Sequence, residues 1–267
     1  LLVKGRHFLT LSRAWVRASL AAFLNLGRFS APSRYRPSIT VFNTLDTPGY
    51  VVGAVTDDYK ALVIDGSNNI YAAGNRDSGG KDMLLVKYLT TGLLDTTLNG
   101  SGVLTVDFSG ANENVEFLGF DSSNDLYLVG NDVDSYFRVK AVKISTLGVL
   151  DNSFSGDGMV SLKMASIADL DGESSMTSAA IDSNDNIVVV GFNDVLLSGK
   201  RHLIGRIKTD GTLDNSFDLD GYKRMSMCPN ASQLESIILL NNSSFIVAGQ
   251  CYINGIFKNN VDVSHYL

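Results

Sequence analysis

Asp169, Asp171 and Glu173 stand two apart in the run Asp169-Leu170-Asp171-Gly172-Glu173, an oxygen-rich spacing that could ligate Ca²⁺ together with backbone carbonyls. The full twelve-residue EF-hand pattern is missing, so a solvated acidic turn is the plainer reading and the trio is a weak metal candidate. Asp169 with Asp194 would supply the paired carboxylates of a glycoside hydrolase if the fold set them roughly 5 to 10 Å apart. His7, His202 and His265 are scattered and match neither zinc-site nor nucleophilic-triad spacing. There is no phosphate-binding glycine loop and no dinucleotide fingerprint. Sequon matches at Asn99, Asn230 and Asn241 are what chance supplies. No catalytic residue and no cofactor is assigned, and nothing in this set names a substrate.

The elements that position these side chains follow from composition first. A chain of 267 residues that is 45% hydrophobic can bury a substantial core. Its 25 glycines, with Val, Ile, Leu, Tyr and Phe in short runs, favour many short strands punctuated by turns. The net charge of −6 is uneven. Residues 1 to 45 carry seven Lys or Arg and no acid, which leaves the remainder near −13. That sign argues against a nucleic-acid partner, whose phosphates require clustered bases, and against anionic membrane surfaces.

No apolar run reaches the roughly 18 to 20 residues that span a bilayer, so no transmembrane helix is expected. The basic start, residues 1–43, admits three readings. Lys4, Arg6, Arg13 and Arg17 precede the apolar stretch Ala18 to Gly27 and a small-residue site near Ser30-Ala31, as in a signal-type segment. A loosely attached amphipathic helix and sequence foreign to the fold are the others.

Residues 44–267 are organised by a repeat. Polar turns beginning at Asp65, Asp121, Asp182 and Leu240 each lead into an apolar run ending at Gly74, Gly130, Gly191 and Gly249. Such turns close hairpins; the apolar runs read as strands covered on both faces, and the glycines as bulges or close backbone approaches. A second signature follows at Gly92-Leu93-Leu94-Asp95, Gly148-Val149-Leu150-Asp151 and Gly211-Thr212-Leu213-Asp214, completed by Leu98, Phe154 and Phe217. Eight residues before each Asp stands a base: Lys87, Lys143 and Arg206.

With this double signature the chain, from about residue 44 to 253, resembles the delta-60 β-propeller repeat family of bacterial, often exported, proteins. The resemblance implies an all-β, propeller-like repeat of four-stranded antiparallel blades, about four of them, as a closed ring or a truncated arc. It implies no shared chemical activity.

In that frame the first blade takes strands A to D at 60–65, 70–75, 83–88 and 102–108; the second at 115–120, 126–130, 137–144 and 158–163. The third takes 177–182, 187–192, 202–208 and 221–227. The last has 234–240 and 245–251, with a third strand near Ile256 or Val261. Tyr50 to Val55 would be an isolated D strand able to complete the final blade and remove the exposed edges.

The glycine-to-glycine intervals are 56, 61 and 58. All of the variation falls in the B-to-C connection of the third blade, Asn193 to Arg201, and the D-to-A connection entering it, Met164 to Ser175. A meander delivers both to one end, and insertions in repeat scaffolds collect where binding is elaborated. Candidate binding residues are therefore Asp169, Asp171, Glu173, Asn193, Asp194, Lys200 and Arg201, although neutral loop drift accounts for the same lengths.

The structural candidates are Lys87, Lys143 and Arg206 pairing with Asp95, Asp151 and Asp214, these acids also capping backbone amides. Leu94, Leu150, Leu213, Leu98, Phe154 and Phe217 read as core pegs between blades. Cys228 and Cys251 fall at strand ends on one face of neighbouring blades, where a disulfide would contribute roughly 3 to 4 kcal/mol and imply an oxidising compartment. Two buried thiols are the alternative.

The expectation is a non-catalytic binding or structural module, secreted or on a bacterial cell surface, whose partner is a protein or a carbohydrate. A propeller-based lyase or glycoside hydrolase, or an arc of a larger adhesin-like protein, are its rivals.

Overall fold

The computed structural model describes residues 38–44, 47–52, 57–110, 112–132, 138–164, 174–195, 199–225, 232–240, 244–253 and 256–262. They form strands and turns and contain no helix. β1 (Ser38–Thr44) and β2 (Thr47–Val52) make a hairpin of their own. The first four-stranded sheet is β3 (Asp57–Ile64), β4 (Ile70–Asp77), β5 (Lys81–Tyr88) and β6 (Val103–Val106). The second is β7 (Glu113–Phe120), β8 (Leu126–Asp132), β9 (Arg138–Ile144) and β10 (Met159–Lys163). The third is β11 (Ser174–Ile181), β12 (Ile187–Val195), β13 (Gly199–Ile207) and β14 (Tyr222–Met225). β15 (Ser232–Leu239), β16 (Phe245–Ile253) and β17 (Ile256–Asp262) form a three-stranded fourth sheet.

Every sheet is an antiparallel meander in chain order, and none closes into a barrel. The first strand of each later sheet lies over the sheet before it: β7 over β3 to β5, β11 over β7 and β8, β15 over β11 to β13. The protein is thus an all-β row of blade-like sheets. Covered on both sides, the middle strands bury nearly continuous apolar runs, such as Tyr71 to Ala73 and Met83 to Val86, which explains why their sequences do not alternate.

One irregularity recurs in all four sheets. Tyr59 faces Gly74 while Ala61 faces Ala73, so Lys60 is an extra residue in the ladder. Glu116, Thr177 and Glu235 occupy the same bulge opposite Gly130, Gly191 and Gly249. The bulge swings a backbone carbonyl over each glycine. A Cβ there would overlap the oxygen of Asp58, Asn114, Ser175 or Gln233, so the repeated glycine answers to backbone approach.

The core sits between sheets. Leu98 fills the junction of the first and second, Phe154 that of the second and third, and Phe217 that of the third and fourth. Each enters from the turn joining the last two strands of one sheet and plugs the gap to the next. Leu150 and Leu213 pack backward into the preceding junction. Leu94 does not behave as a core peg: it is 43% exposed, and no four-stranded sheet precedes its own among the described residues.

The expected isolated D strand at Tyr50 to Val55 is corrected in the same way. β2 pairs with β1 from Ser38↔Val52 to Thr44↔Thr47 and not with the fourth sheet. β1 begins inside the segment read as a basic N-terminal extension. A hairpin closed by two residues costs far less loop entropy than pairing across some 200 residues of chain. The third strand foreseen near Ile256 or Val261 is β17, which holds both.

Candidate functional site

The two ends of the sheets differ in kind. At one end lie the turns between first and second, and between third and fourth, strands. Asp65, Asp121 and Asp182 each accept two backbone N–H bonds through Oδ1, from Ser67 and Asn69, Ser123 and Asp125, and Asn184 and Asn186, at 2.8–2.9 Å. These bonds hold Asn68, Asn124 and Asp185 at φ of 61–65°, which Asn and Asp tolerate best among non-glycine residues.

The base and acid of the second signature meet here too. Lys87 Nζ lies 2.7 Å from Asp95, Lys143 3.0 Å from Asp151, and Arg206 Nε donates to Asp214 at 2.6 Å. The same acids accept the N–H of Thr97, Ser153 and Ser216. Lys87 is the chief reason Asp95 lies below the ordinary carboxylate range; for Asp151 it is the Ser153 hydroxyl. Burial would raise Asp214, but Ser216 and Arg206 outweigh it. Neighbouring turns are stitched together by Asn99 N–H to the Leu147 carbonyl and Ser155 N–H to the Asp210 carbonyl, at 2.9 and 3.0 Å. This end is scaffold, repeated sheet by sheet.

The opposite end is where binding was expected. Asp169, Asp171, Glu173 and Cys228 lie outside the described residues, as does the side chain of Asp194. The extra residues from Asn193 to Arg201 lengthen a ladder more than a loop, since Asn193↔Arg201, Asp194↔Lys200 and Val195↔Gly199 are strand pairs. Asn193 is 1% exposed and offers a partner no surface. Arg201 is exposed, and Lys200 lies 4.0 Å over the Phe192 ring. Cys251 is buried and disulfide-bonded; Cys228 is the other cysteine of the sequence.

At this end, the junction of the first and second sheets holds a group the sequence reading passed over. The start of β5, the end of β6 and the start of β7 converge, bringing carboxylate oxygens of Asp82, Asp107 and Glu113 within 4.8 Å of one another. Asn75 positions the deepest of them: its Nδ2 donates to the Glu113 carbonyl at 2.6 Å and its Oδ1 accepts from Val115 N–H at 3.3 Å. Glu113 is fully buried, and neither carboxylate oxygen has a well-formed hydrogen bond, the Phe108 N–H being near enough only to lower its carboxyl slightly. Its nearest counter-charge is Lys140 Nζ, 3.7 Å from Oε1 and 4.5 Å over the Phe108 ring. Burial, partly offset by Lys140 and reinforced by the Asp107 and Asp82 charges, pushes the Glu113 carboxyl up to about 7. Asp107 and Lys140 also line an open cleft of about 380 Å³ with Phe108, Ser109 and Met159.

No family model matches the sequence. No curated protein matches it either. Among solved structures the chain is similar to a protein from Bifidobacterium bifidum s17 described as an exo-beta-1,3-galactanase, at 9% identity over 79% of this chain and 70% of that one, with a TM-score of 0.38. Likeness at that level carries neither fold nor activity across.

A signal for the acidic group was present in the repeat. Strand registers make Asp82, Arg138 and Arg201 equivalent, likewise Leu84, Lys140 and Leu203, and Glu113 and Ser174. Lysine at a position filled by buried leucine in two other sheets marks a departure from the repeat that interval lengths do not register.

Proposed function

We propose that the protein is a non-catalytic binding module of the delta-60 propeller type, exported to a bacterial cell surface or beyond it, which presents the loop end of its sheets to a protein or a glycan. The observation that carries this reading is the asymmetry between ends. Residues at the turn end serve the same hydrogen bonds in each of the three four-stranded sheets, as a scaffold requires. Equivalent positions at the loop end change charge from sheet to sheet, Asp82 against Arg138 and Arg201, as recognition surfaces do. Export is supported by the disulfide at Cys251, since such bonds persist in oxidising compartments. No helix among the described residues is long and apolar enough to cross a membrane.

Binding of the full chain to immobilised envelope glycans and envelope proteins tests the proposal. Arg138→Glu with Arg201→Glu is expected to weaken retention at least tenfold, while Lys208→Glu at the turn end leaves it unchanged. Equal losses from the two ends, or no saturable binding to either class, would overturn it.

A further inference from the structure

We propose that Asp82, Asp107 and Glu113 form a binding site for Ca²⁺ at the junction of the first two four-stranded sheets. The inference stands apart from the proposed function and rests on three observations.

The first is geometric. Two of the three carboxylates are anchored through one oxygen: Asp107 Oδ1 accepts Gly110 N–H at 2.8 Å and Asp82 Oδ2 accepts the Ser78 hydroxyl. One oxygen of each lies within 4.8 Å of those of the other two acids, and each keeps one oxygen free of hydrogen bonds among the described residues. All-oxygen donor sets select hard cations, and carboxylates mixed with water and carbonyl oxygens are the usual calcium shell.

The second observation concerns Glu113. A carboxylate with no exposed surface and no well-formed hydrogen bond carries a heavy desolvation penalty that native proteins seldom leave uncompensated. Lys140 does not meet that need, because 3.7 Å exceeds hydrogen-bonding distance and one ammonium faces three acids. Catalysis by Glu113 is a poorer explanation: a general acid must touch its leaving group, and no part of Glu113 reaches the surface. Asp107, the exposed member of the trio, borders an open cleft, which leaves the group within reach of a small ion from solvent.

The third is the contrast within the repeat. The next junction carries Arg138, Lys163 and Ser174 at the positions of Asp82, Asp107 and Glu113, and Leu203 at that of Lys140. Bases replace acids there, and the lysine counter-charge disappears with the acids. The acidic trio and its lysine therefore vary as a set.

Calorimetric titration of the chelator-treated full chain with CaCl₂, paired with thermal melts, tests the site. One saturable Ca²⁺ site is expected, in the range of extracellular modules at roughly 0.1 to 1 mM, with a rise in Tm that grows with free calcium. Asp107→Asn, at an exposed position, should weaken binding at least tenfold while the calcium-free Tm holds or rises, and Asp82→Asn should do the same. Lys140→Leu, which restores the residue of the neighbouring sheets, should tighten binding and enlarge the calcium-dependent Tm rise. The site is refuted if the wild type shows no saturable heat and no Tm rise up to about 10 mM Ca²⁺, a ceiling set by the weakest such sites, or if Asp82→Asn and Asp107→Asn bind as the wild type does.

Discussion

The first junction between sheets and the second are built from the same strand positions and the same turn chemistry, yet one gathers three acids beside a lysine and the other places two bases and a serine at the equivalent positions. In the first, Lys140 replaces a leucine beside Glu113; in the second, Leu203 is 1% exposed in an apolar setting. The lesson is that a repeat scaffold tolerates opposite electrostatics at one end because its stability is supplied elsewhere. Leu98 and Phe154 plug the two gaps alike, and the glycine-facing bulges recur in both sheets.

The sharpest way to break the contrast is to move the lysine alone. Leu203→Lys places a cation in the second junction, where none of the equivalent positions carries an acid, and should cost about 3 to 5 kcal/mol in urea denaturation. Adding Ser174→Glu should recover part of that loss. No recovery would mean that the pairing at the first junction is incidental.

Next in size is a pH effect confined to the first junction. Glu113 has a folded value of about 7 against an ordinary value of 4.5. Between those values the folded chain holds more of the proton than the unfolded chain does. Its contribution is therefore fully present below about pH 4.5, is lost as pH rises toward about 7, and amounts to about 3 kcal/mol across that window. Denaturation midpoints at pH 5 and pH 7.5, without calcium, should show the fall in the wild type and a much smaller one in Glu113→Gln. Arg206→Ala and Lys87→Ala, both at the turn end, should leave it unchanged.

The scaffold itself should be blind to the junction. Gly130→Ala and Gly191→Ala each push a Cβ into a backbone carbonyl, so each should destabilise by about 1 to 3 kcal/mol or more, and by similar amounts. A large difference between them would show that the two bulges are not equivalent. Smallest is the turn-end pair Arg206 and Asp214: a double-mutant cycle should return a coupling of about 1 kcal/mol, and strict additivity would remove the pair from the account of the turn.

Much of the scaffold was legible without coordinates, because it depends on neighbours in sequence. Polar turns at Asp65, Asp121 and Asp182, apolar runs ending in glycine, and the eight-residue step from Lys87 to Asp95 are local relations that recur, and they place nearly every strand within a few residues. The partnership of β2 was misjudged because strand pairing depends on which edge is available, and the chain offered a nearer edge in β1. The face expected to carry binding was chosen from loop lengths alone, and the added residues at Asn193 to Arg201 turned out to extend a ladder.

By itself the sequence determined an all-β repeat, the glycines that admit a bulge, and the plugs that fill each gap, since each follows from residue type at fixed spacing. Only the tertiary structure decided that Asp82, Asp107 and Glu113 meet. They come from two sheets and three strands, and convergence of that kind depends on how one sheet stacks on the next.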